Sequence, residues 1–227
     1  TQSTLSSLGF LDGQTTNPSL VAKNPHLLEL RAAGNLTHET LWDAYKKIVQ
    51  EIHTLLPHGA ISAEVYADQH TSYEDMLQQA RELATWFPGI YVKLPITSVG
   101  LRTAETLVGE GIRVNMTLCF SQQQAAAVHA ATRGAVPGQV FVSPFIGRLD
   151  DQGIHGIDLI KNILMMYQRM NSHVQVLAAS IRTMDHLLGC LRLGVDCMTA
   201  PKNMLMEWST FGVTKDPAQY PFALSEL

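Results

Sequence analysis

A lysine lies in the middle of an apolar segment of this chain, where a cation is unexpected. The segment is GIYVKLPITSVG, and within it Lys93 is flanked by Tyr91, Val92 and Leu94. Short apolar runs of this kind are typical of a buried strand, whereas lysine is almost never fully buried unless its charge is paired. Lys93 therefore needs either a partner of opposite charge or a chemical role.

The chemistry open to such a residue is that of an amine nucleophile. Burial disfavours the charged form of a lysine, and a neutral amine attacks a carbonyl carbon to form a Schiff base. A protonated Schiff base draws electrons, so a neighbouring C–C bond can break or form. That step also needs a general acid or base within hydrogen-bond reach, which a neighbouring strand has to supply.

Three other strand-like segments, ISAEV, RVNMTLC and VFVSPFI, carry polar residues on one face only. Because successive residues of a strand point to opposite faces, Glu64, Asn115, Thr117 and Ser143 each lie on the polar face of their strand. In a barrel these faces converge towards the C-terminal mouth. Glu64 is then the candidate for moving protons, through a water held by Thr117. The alternative is a buried Lys93–Glu64 ion pair without chemistry.

Strands and helices alternate along the whole chain. Apolar or β-branched runs predict strands at 13–17, 61–65, 91–95, 113–119, 140–146, 174–180 and 197–201. Longer segments between them have helical spacing, as Leu41, Tyr45, Ile48 and Ile52 have in the segment 38–56. This alternation is typical of parallel strands joined by crossover helices.

The predicted fold is an α/β, (β/α)8 TIM barrel. A closed barrel needs eight strands, and seven are visible, so we expect the first strand to be missing from the given chain. We expect one barrel domain over residues 1–227 that ends in a C-terminal helical tail, with the segment 214–227 containing prolines. An open doubly wound sheet is the competing fold, but no Gly-rich phosphate loop supports it.

Composition narrows the class of protein further. A net charge of −4 without a long basic run argues against a nucleic-acid partner. No apolar stretch approaches the roughly 20 residues of a spanning helix, and no signal peptide opens the chain, so we expect no membrane contact and a cytoplasmic location. Cys119, Cys190 and Cys197 lack metal-ligand spacing, and the histidines are dispersed, so no metal site is expected.

Six segments of the chain together resemble the transaldolase family. They follow one another in the family's order and are DGQTTNPSLVAKN, SAEV, YVKLPIT, EGIRVNMTLCFS, VSPFIGRLDD and VLAASIRT. The resemblance covers residues 8–208. It implies a class I aldolase barrel that forms a Schiff base without a metal or organic cofactor. It also implies a homo-oligomer, either a decamer or a pentamer.

The resemblance implies a role for each candidate residue. Lys93 matches the Schiff-base lysine, and Glu64 and Thr117 match the pair that holds the catalytic water. The positions that it implies for substrate binding are Thr16, Asn17, Asn115, Ser143, Phe145, Arg148 and Arg182. The last two, with Ser143, would bind the phosphate of a substrate, because guanidinium groups clamp tetrahedral oxyanions with paired hydrogen bonds.

Simpler interpretations of three of these residues stay open. Asn17 precedes Pro18 and could end a strand and start a turn. Thr117 could be present for its strand propensity. Arg182 could be a surface residue at a helix N-terminus.

Two positions distinguish subfamilies within the resemblance. Transaldolases resemble this chain in having Glu at position 64 and Phe at position 145, whereas fructose-6-phosphate aldolases have Gln and Tyr. We therefore expect transfer of a dihydroxyacetone unit from a ketose with a phosphate or sulfonate tail. The alternatives are an aldolase that releases dihydroxyacetone and a sugar-phosphate-binding barrel without turnover. The family's acid/base aspartate would fall before residue 1, and we expect it on the missing strand.

Overall fold

The computed structural model describes residues 1–210 of the chain. Its strands are β1 (Gly13–Thr15), β2 (Ala60–Glu64), β3 (Tyr91–Pro95), β4 (Arg113–Cys119), β5 (Val140–Pro144), β6 (Gln175–Ala178) and β7 (Cys197–Met198). The strands predicted at 91–95 and 113–119 have the predicted bounds, and the other five are shorter or shifted by a few residues.

All of these strands are parallel, and each pairs with the next in sequence order from β1 to β7. The hydroxyls of Thr15, at the end of β1, and Thr199, just after β7, lie 3.0 Å apart, so the sheet curls until its two edges approach each other. A doubly wound sheet would reverse its strand order at a switch point. The described residues therefore have the architecture expected of a (β/α)8 barrel that lacks one strand.

The helices of the described residues pack outside the sheet. They are α1 (Gln2–Leu8), α2 (Pro18–Val21), α3 (Pro25–Ala32), α4 (His38–Leu55), α5 (Tyr73–Ala84), α6 (Ser98–Gly109), α7 (Gln122–Ala131), α8 (Ile146–Asp150), α9 (Gly156–Met170), α10 (Met184–Leu193) and α11 (Lys202–Thr210). None of them is long and apolar enough to cross a membrane.

Side-chain caps fix where several helices begin after their strands. Asn17, Thr97, Ser121 and Thr183 each accept a hydrogen bond from a backbone N–H in the first turn of α2, α6, α7 and α10. A cap of this type is worth about 1 kcal/mol and sets the direction in which the chain leaves the strand. The loops at the C-terminal ends of the strands are thereby held in defined positions.

The barrel interior is apolar at the N-terminal end of the strands. Tyr91, Phe141 and Leu177 form a buried cluster, with Ala60 and Cys197 packed against it. The ring centroids of Tyr91 and Phe141 lie 4.6 Å apart. Because these residues fill the N-terminal end, the polar residues further along the strands face the C-terminal mouth.

The C-terminal tail predicted at 214–227 lies outside the described residues, which end with α11. The assignment of residues 1–227 to one domain stays a prediction.

Candidate active site

Lys93 and Glu64 meet inside the barrel. Lys93 is only 6% exposed, and its Nζ lies 2.9 Å from Glu64 Oε2. The parallel register of β2 and β3 places the two residues side by side. The contact joins the predicted nucleophile to the predicted proton carrier, and it is also the geometry that a purely structural ion pair would have.

A chain of hydrogen bonds crosses the strands beside Lys93. Ser143 Oγ donates to Asn115 Oδ1 at 2.7 Å, and Asn115 Nδ2 donates to Ser62 Oγ at 3.0 Å. All three side chains are buried, and Asn115 is the register partner of Lys93 on β4. The polar faces of four strands thus converge, as strand alternation predicts. Ser62 was on the predicted polar face but was not singled out as a site residue.

Thr117 lies on β4, two residues beyond Asn115. Its hydroxyl is buried and has no hydrogen-bond partner within residues 1–210. An unsatisfied buried hydroxyl costs about 1–3 kcal/mol, and a bound water is a common way to satisfy it. Leu118, which follows, has φ of 60° at a register shift between β4 and β5. The assignment of Thr117 to a catalytic water fits these features and stays a prediction.

The predicted anion-binding residues follow β5 and β6. Arg148, on α8, is exposed, and its guanidinium carbon lies 5.0 Å from the centroid of the Phe145 ring. Arg182 precedes the cap of α10 and forms an ion pair with Asp151. Asp151 was not predicted, although the sequence places it three residues after Arg148. The Ser143 hydroxyl contacts Asn115 rather than an arginine.

Asn17 and Thr16 contact backbone groups rather than Lys93. Asn17 Oδ1 caps α2 by accepting a hydrogen bond from Leu20 N at 2.9 Å, which matches the open interpretation of Asn17 as the end of a strand. Thr16 is buried, and its hydroxyl donates to the Ser62 carbonyl at 2.8 Å. It also lies 2.9 Å from the Tyr45 hydroxyl. Tyr45 is predicted from the sequence only as one of the residues at helical spacing in the segment 38–56, and no sequence pattern indicated these contacts.

The described residues contain no group of three or more His, Cys, Asp and Glu side chains that could hold a metal ion. Charged side chains in this region include Lys93 with Glu64, Arg182 with Asp151, Asp150 with His186, and Arg148. Arg148 and Arg182 supply guanidinium donors with which an anionic group can pair.

The fold and the site define the class as a (β/α) barrel with a lysine–carboxylate pair in its interior. The sequence model of the family described as "Transaldolase/Fructose-6-phosphate aldolase" matches residues 3–226. The chain belongs to this family.

Relatives with curated names share much of the sequence. A probable transaldolase of Dehalococcoides mccartyi is 43% identical over 200 residues, which cover 88% of this chain and 81% of the relative. A probable transaldolase of Bartonella henselae is 39% identical over 88% of this chain and 80% of its own length. A probable transaldolase of Cereibacter sphaeroides is 41% identical over 87% of this chain and 78% of its own length. Together with the family match, these relatives support an enzyme with aldolase or transaldolase activity.

Proposed function

We propose that this protein transfers a dihydroxyacetone unit from a ketose with an anionic tail to an aldose acceptor, through a Schiff base on Lys93. The observation that carries the proposal is the 2.9 Å contact between Lys93 Nζ and Glu64 Oε2 in the barrel interior. It places a proton carrier beside a shielded amine, which is the pairing that Schiff-base formation requires.

The proposed reaction begins with attack of the Lys93 amine on the C2 carbonyl of the ketose. Glu64 moves the protons that allow water to leave, and a protonated Schiff base forms. A general base then takes the proton of the C4 hydroxyl, the C3–C4 bond breaks, and its electron pair moves into the Schiff base to give an enamine. The aldehyde formed from C4 leaves with the anionic tail. The enamine attacks the carbonyl of the acceptor, whose oxygen takes the proton back from the base, and hydrolysis frees the new ketose from Lys93.

The anionic tail of the donor is assigned to Arg148 and Arg182. The exposed Arg148 has its guanidinium carbon 5.0 Å from the centroid of the Phe145 ring, and Arg182 pairs with the carboxylate of Asp151. A phosphate or a sulfonate offers several oxygens to the same guanidinium groups. The tail would replace the carboxylate as the partner of Arg182.

Transfer is favoured over release of dihydroxyacetone by the residue at position 145. Phe145 has no hydroxyl with which to activate water against the bound three-carbon unit. A barrel that only binds sugar phosphates is the remaining alternative, and it would not form a covalent adduct.

The test is to trap the protein with sodium borohydride in the presence of fructose 6-phosphate and to locate the added mass by peptide mass spectrometry. We expect a dihydroxyacetone-sized adduct on Lys93, since cleavage precedes transfer when no acceptor is present. Lys93→Met should lose both the adduct and turnover. Lys47→Met, on an exposed position of α4, is the matched control and should keep both.

The other outcomes separate the alternatives. An adduct of the whole hexose would show a competent Lys93 without C–C cleavage. Free dihydroxyacetone formed at the rate of turnover, without acceptor, would favour the aldolase. If phosphorylated and sulfonated ketoses bind but form no adduct, the remaining explanation is a barrel that binds sugar phosphates without catalysis.

We propose that the enzyme is located in the cytoplasm, as the sequence predicts. The described cysteines are all free thiols, which fits a reduced compartment.

We also propose that the protein forms a decamer or a pentamer. Light scattering of the purified protein would measure the mass of the assembly directly.

A further inference from the structure

The hydrogen-bond ladder between β1 and β2 stops at Glu64. Thr16 N donates to the Ser62 carbonyl at 2.9 Å, so the parallel pattern predicts that Glu64 N would donate next to the Thr16 carbonyl. The chain instead turns into α2 at Pro18. Glu64 N donates to the hydroxyl of Tyr45 on α4, at 2.7 Å.

The directions of these hydrogen bonds follow from the donors available. Thr16 has one hydroxyl hydrogen, and it goes to the Ser62 carbonyl. The Tyr45 hydroxyl accepts a hydrogen bond from Glu64 N and keeps its own hydrogen for another partner. The Thr16 oxygen therefore accepts a hydrogen bond from the Tyr45 hydroxyl. One tyrosine hydroxyl thus connects the end of β1 to the backbone of Glu64.

The Tyr45 ring is held rigidly in place. It is 2% exposed and packs edge to face against Trp42 and Trp86, with ring centroids 6.1 Å and 5.3 Å away. Burial raises the pKa of Tyr45 far above its ordinary value. The hydroxyl therefore keeps its proton and remains a donor to Thr16.

We propose that Tyr45 is a positioning residue of this site, which fixes the backbone of Glu64 against Lys93 and, through Thr16, the strand end that carries Asn17. The inference rests on the proposed function for its effect on turnover. Its structural part concerns the Glu64 N–H and can be measured without any substrate. Among the described residues Tyr45 forms no hydrogen bond with Lys93, and it acts through Glu64 and Thr16.

The test compares Tyr45→Phe with Tyr167→Phe. Tyr167 is a matched control because it is also buried and donates one hydrogen bond, to the Ala125 carbonyl at 2.8 Å, between α9 and α7. We expect Tyr45→Phe to lower kcat about tenfold with KM within about twofold, since a small displacement of a reacting group is costly. Tyr167→Phe should leave both constants within about twofold of wild type. If losing a buried tyrosine hydroxyl acted only through the packing of the fold, the two variants would change kcat alike.

Hydrogen exchange provides the second readout. We expect the peptide over residues 60–66 to exchange faster in Tyr45→Phe than in wild type, and at the wild-type rate in Tyr167→Phe. Equal kcat values for the two variants, or unchanged exchange at this peptide, would overturn the inference. If the wild type has no turnover with any donor, the proposed function fails, and the exchange comparison alone decides the role of Tyr45. Should Tyr45→Phe not fold, Thr16→Val removes the acceptor that orients the Tyr45 hydroxyl. Faster exchange over residues 60–66 is then the expected result, and unchanged exchange would overturn the inference.

Discussion

Lys93 and Glu64 each lose most of their hydration inside the barrel. Desolvation costs several kcal/mol per ion, and the 2.9 Å contact offsets part of that cost. Glu64 is less buried than Lys93, with side-chain exposures of 17% and 7%. Each residue therefore depends on the other for stability, and the same proximity makes Glu64 available for proton transfer.

A double-mutant cycle should reveal this dependence. We expect Glu64→Gln to lower the free energy of unfolding by about 2 kcal/mol, because it leaves the Lys93 ammonium buried without its carboxylate. Lys93→Met should cost less, about 1 kcal/mol, since Glu64 retains access to water. The double variant should lose less free energy of unfolding than the two single variants together. Urea denaturation should give a coupling energy of about 1–2 kcal/mol between the two residues. Additive losses would contradict a stabilising pair.

Phe145 gives a second prediction at the scale of single residues. Its ring lies near the mouth of the barrel, 5.0 Å from the guanidinium carbon of Arg148 and 5.9 Å from the centroid of the Phe120 ring. We expect Phe145→Tyr to raise the acceptor-independent release of dihydroxyacetone from fructose 6-phosphate by about tenfold, because a hydroxyl there can help activate water. An enzyme-coupled assay for dihydroxyacetone measures this. Phe10→Tyr, on an exposed residue, is the control, and equal release by the two variants would remove the role given to Phe145.

At the scale of elements, the short helix α8 is pressed against the chain that follows β6. Gly147 N donates to the Ser180 carbonyl at 3.1 Å. A Cβ at Gly147 would meet that carbonyl and would lie 2.7 Å and 2.8 Å from Cδ and Cγ of Arg182. The absence of a side chain at Gly147 is what lets the two predicted anion-binding arginines lie on adjacent segments.

Gly147→Ala should therefore disturb Arg182 and α8 together. We expect a loss of about 1–3 kcal/mol in unfolding free energy from overpacking. We also expect KM for fructose 6-phosphate to rise about tenfold, which corresponds to about 1.4 kcal/mol of binding, with a smaller change for unphosphorylated fructose. Steady-state kinetics with both sugars test the difference. Equal changes in the two KM values would separate Gly147 from anion binding.

The control for this substitution is Gly109→Ala. Gly109 ends α6, and a Cβ there would have no heavy atom within 4 Å. We expect its stability to stay constant or to rise by up to about 1 kcal/mol, since alanine favours the helix, and its KM values to stay unchanged.

At the scale of the whole molecule, stability depends on groups far from the mouth. His129 and His173 stack near the N-terminal end of β6, with ring centroids 5.0 Å apart. Thr132 uses its hydroxyl hydrogen on the Val128 carbonyl, so it accepts from His173 Nε2 at 2.8 Å. Burial, and secondarily the charge of His129, lower the pKa of His173 below its ordinary value of 6.5.

The lowered pKa predicts acid sensitivity of the fold. Between the folded and unfolded pKa values of His173 the unfolded chain binds more protons, so the free energy of unfolding falls as pH drops below 6.5. His173→Gln keeps a donor for Thr132 but does not titrate, and it should lose less stability on acidification. Urea denaturation at about pH 7.5 and about pH 5 measures the difference. His58→Gln, on an exposed loop, should behave as the wild type does.

Strand alternation was sufficient to group the polar residues of the barrel interior. Lys93, Glu64, Asn115 and Ser143 were assigned to one set because each lies on the polar face of an otherwise apolar strand, and the side-chain period of a strand is strictly two. The short helices α1, α2, α3 and α8 were not predicted, since a helix of four to eight residues has too few turns to show an apolar period.

The amino-acid sequence by itself determined the order of the strands and the longer helices, the face on which each polar residue lies, and the family of the chain. These follow from local periodicity and from motifs that lie in single strands and the residues next to them. Only the tertiary structure decided which side chains touch. Tyr45 and Glu64, or Asp151 and Arg182, are 19 and 31 residues apart. Their hydrogen bonds depend on strand register and helix placement, which packing of the whole barrel fixes and no local pattern encodes.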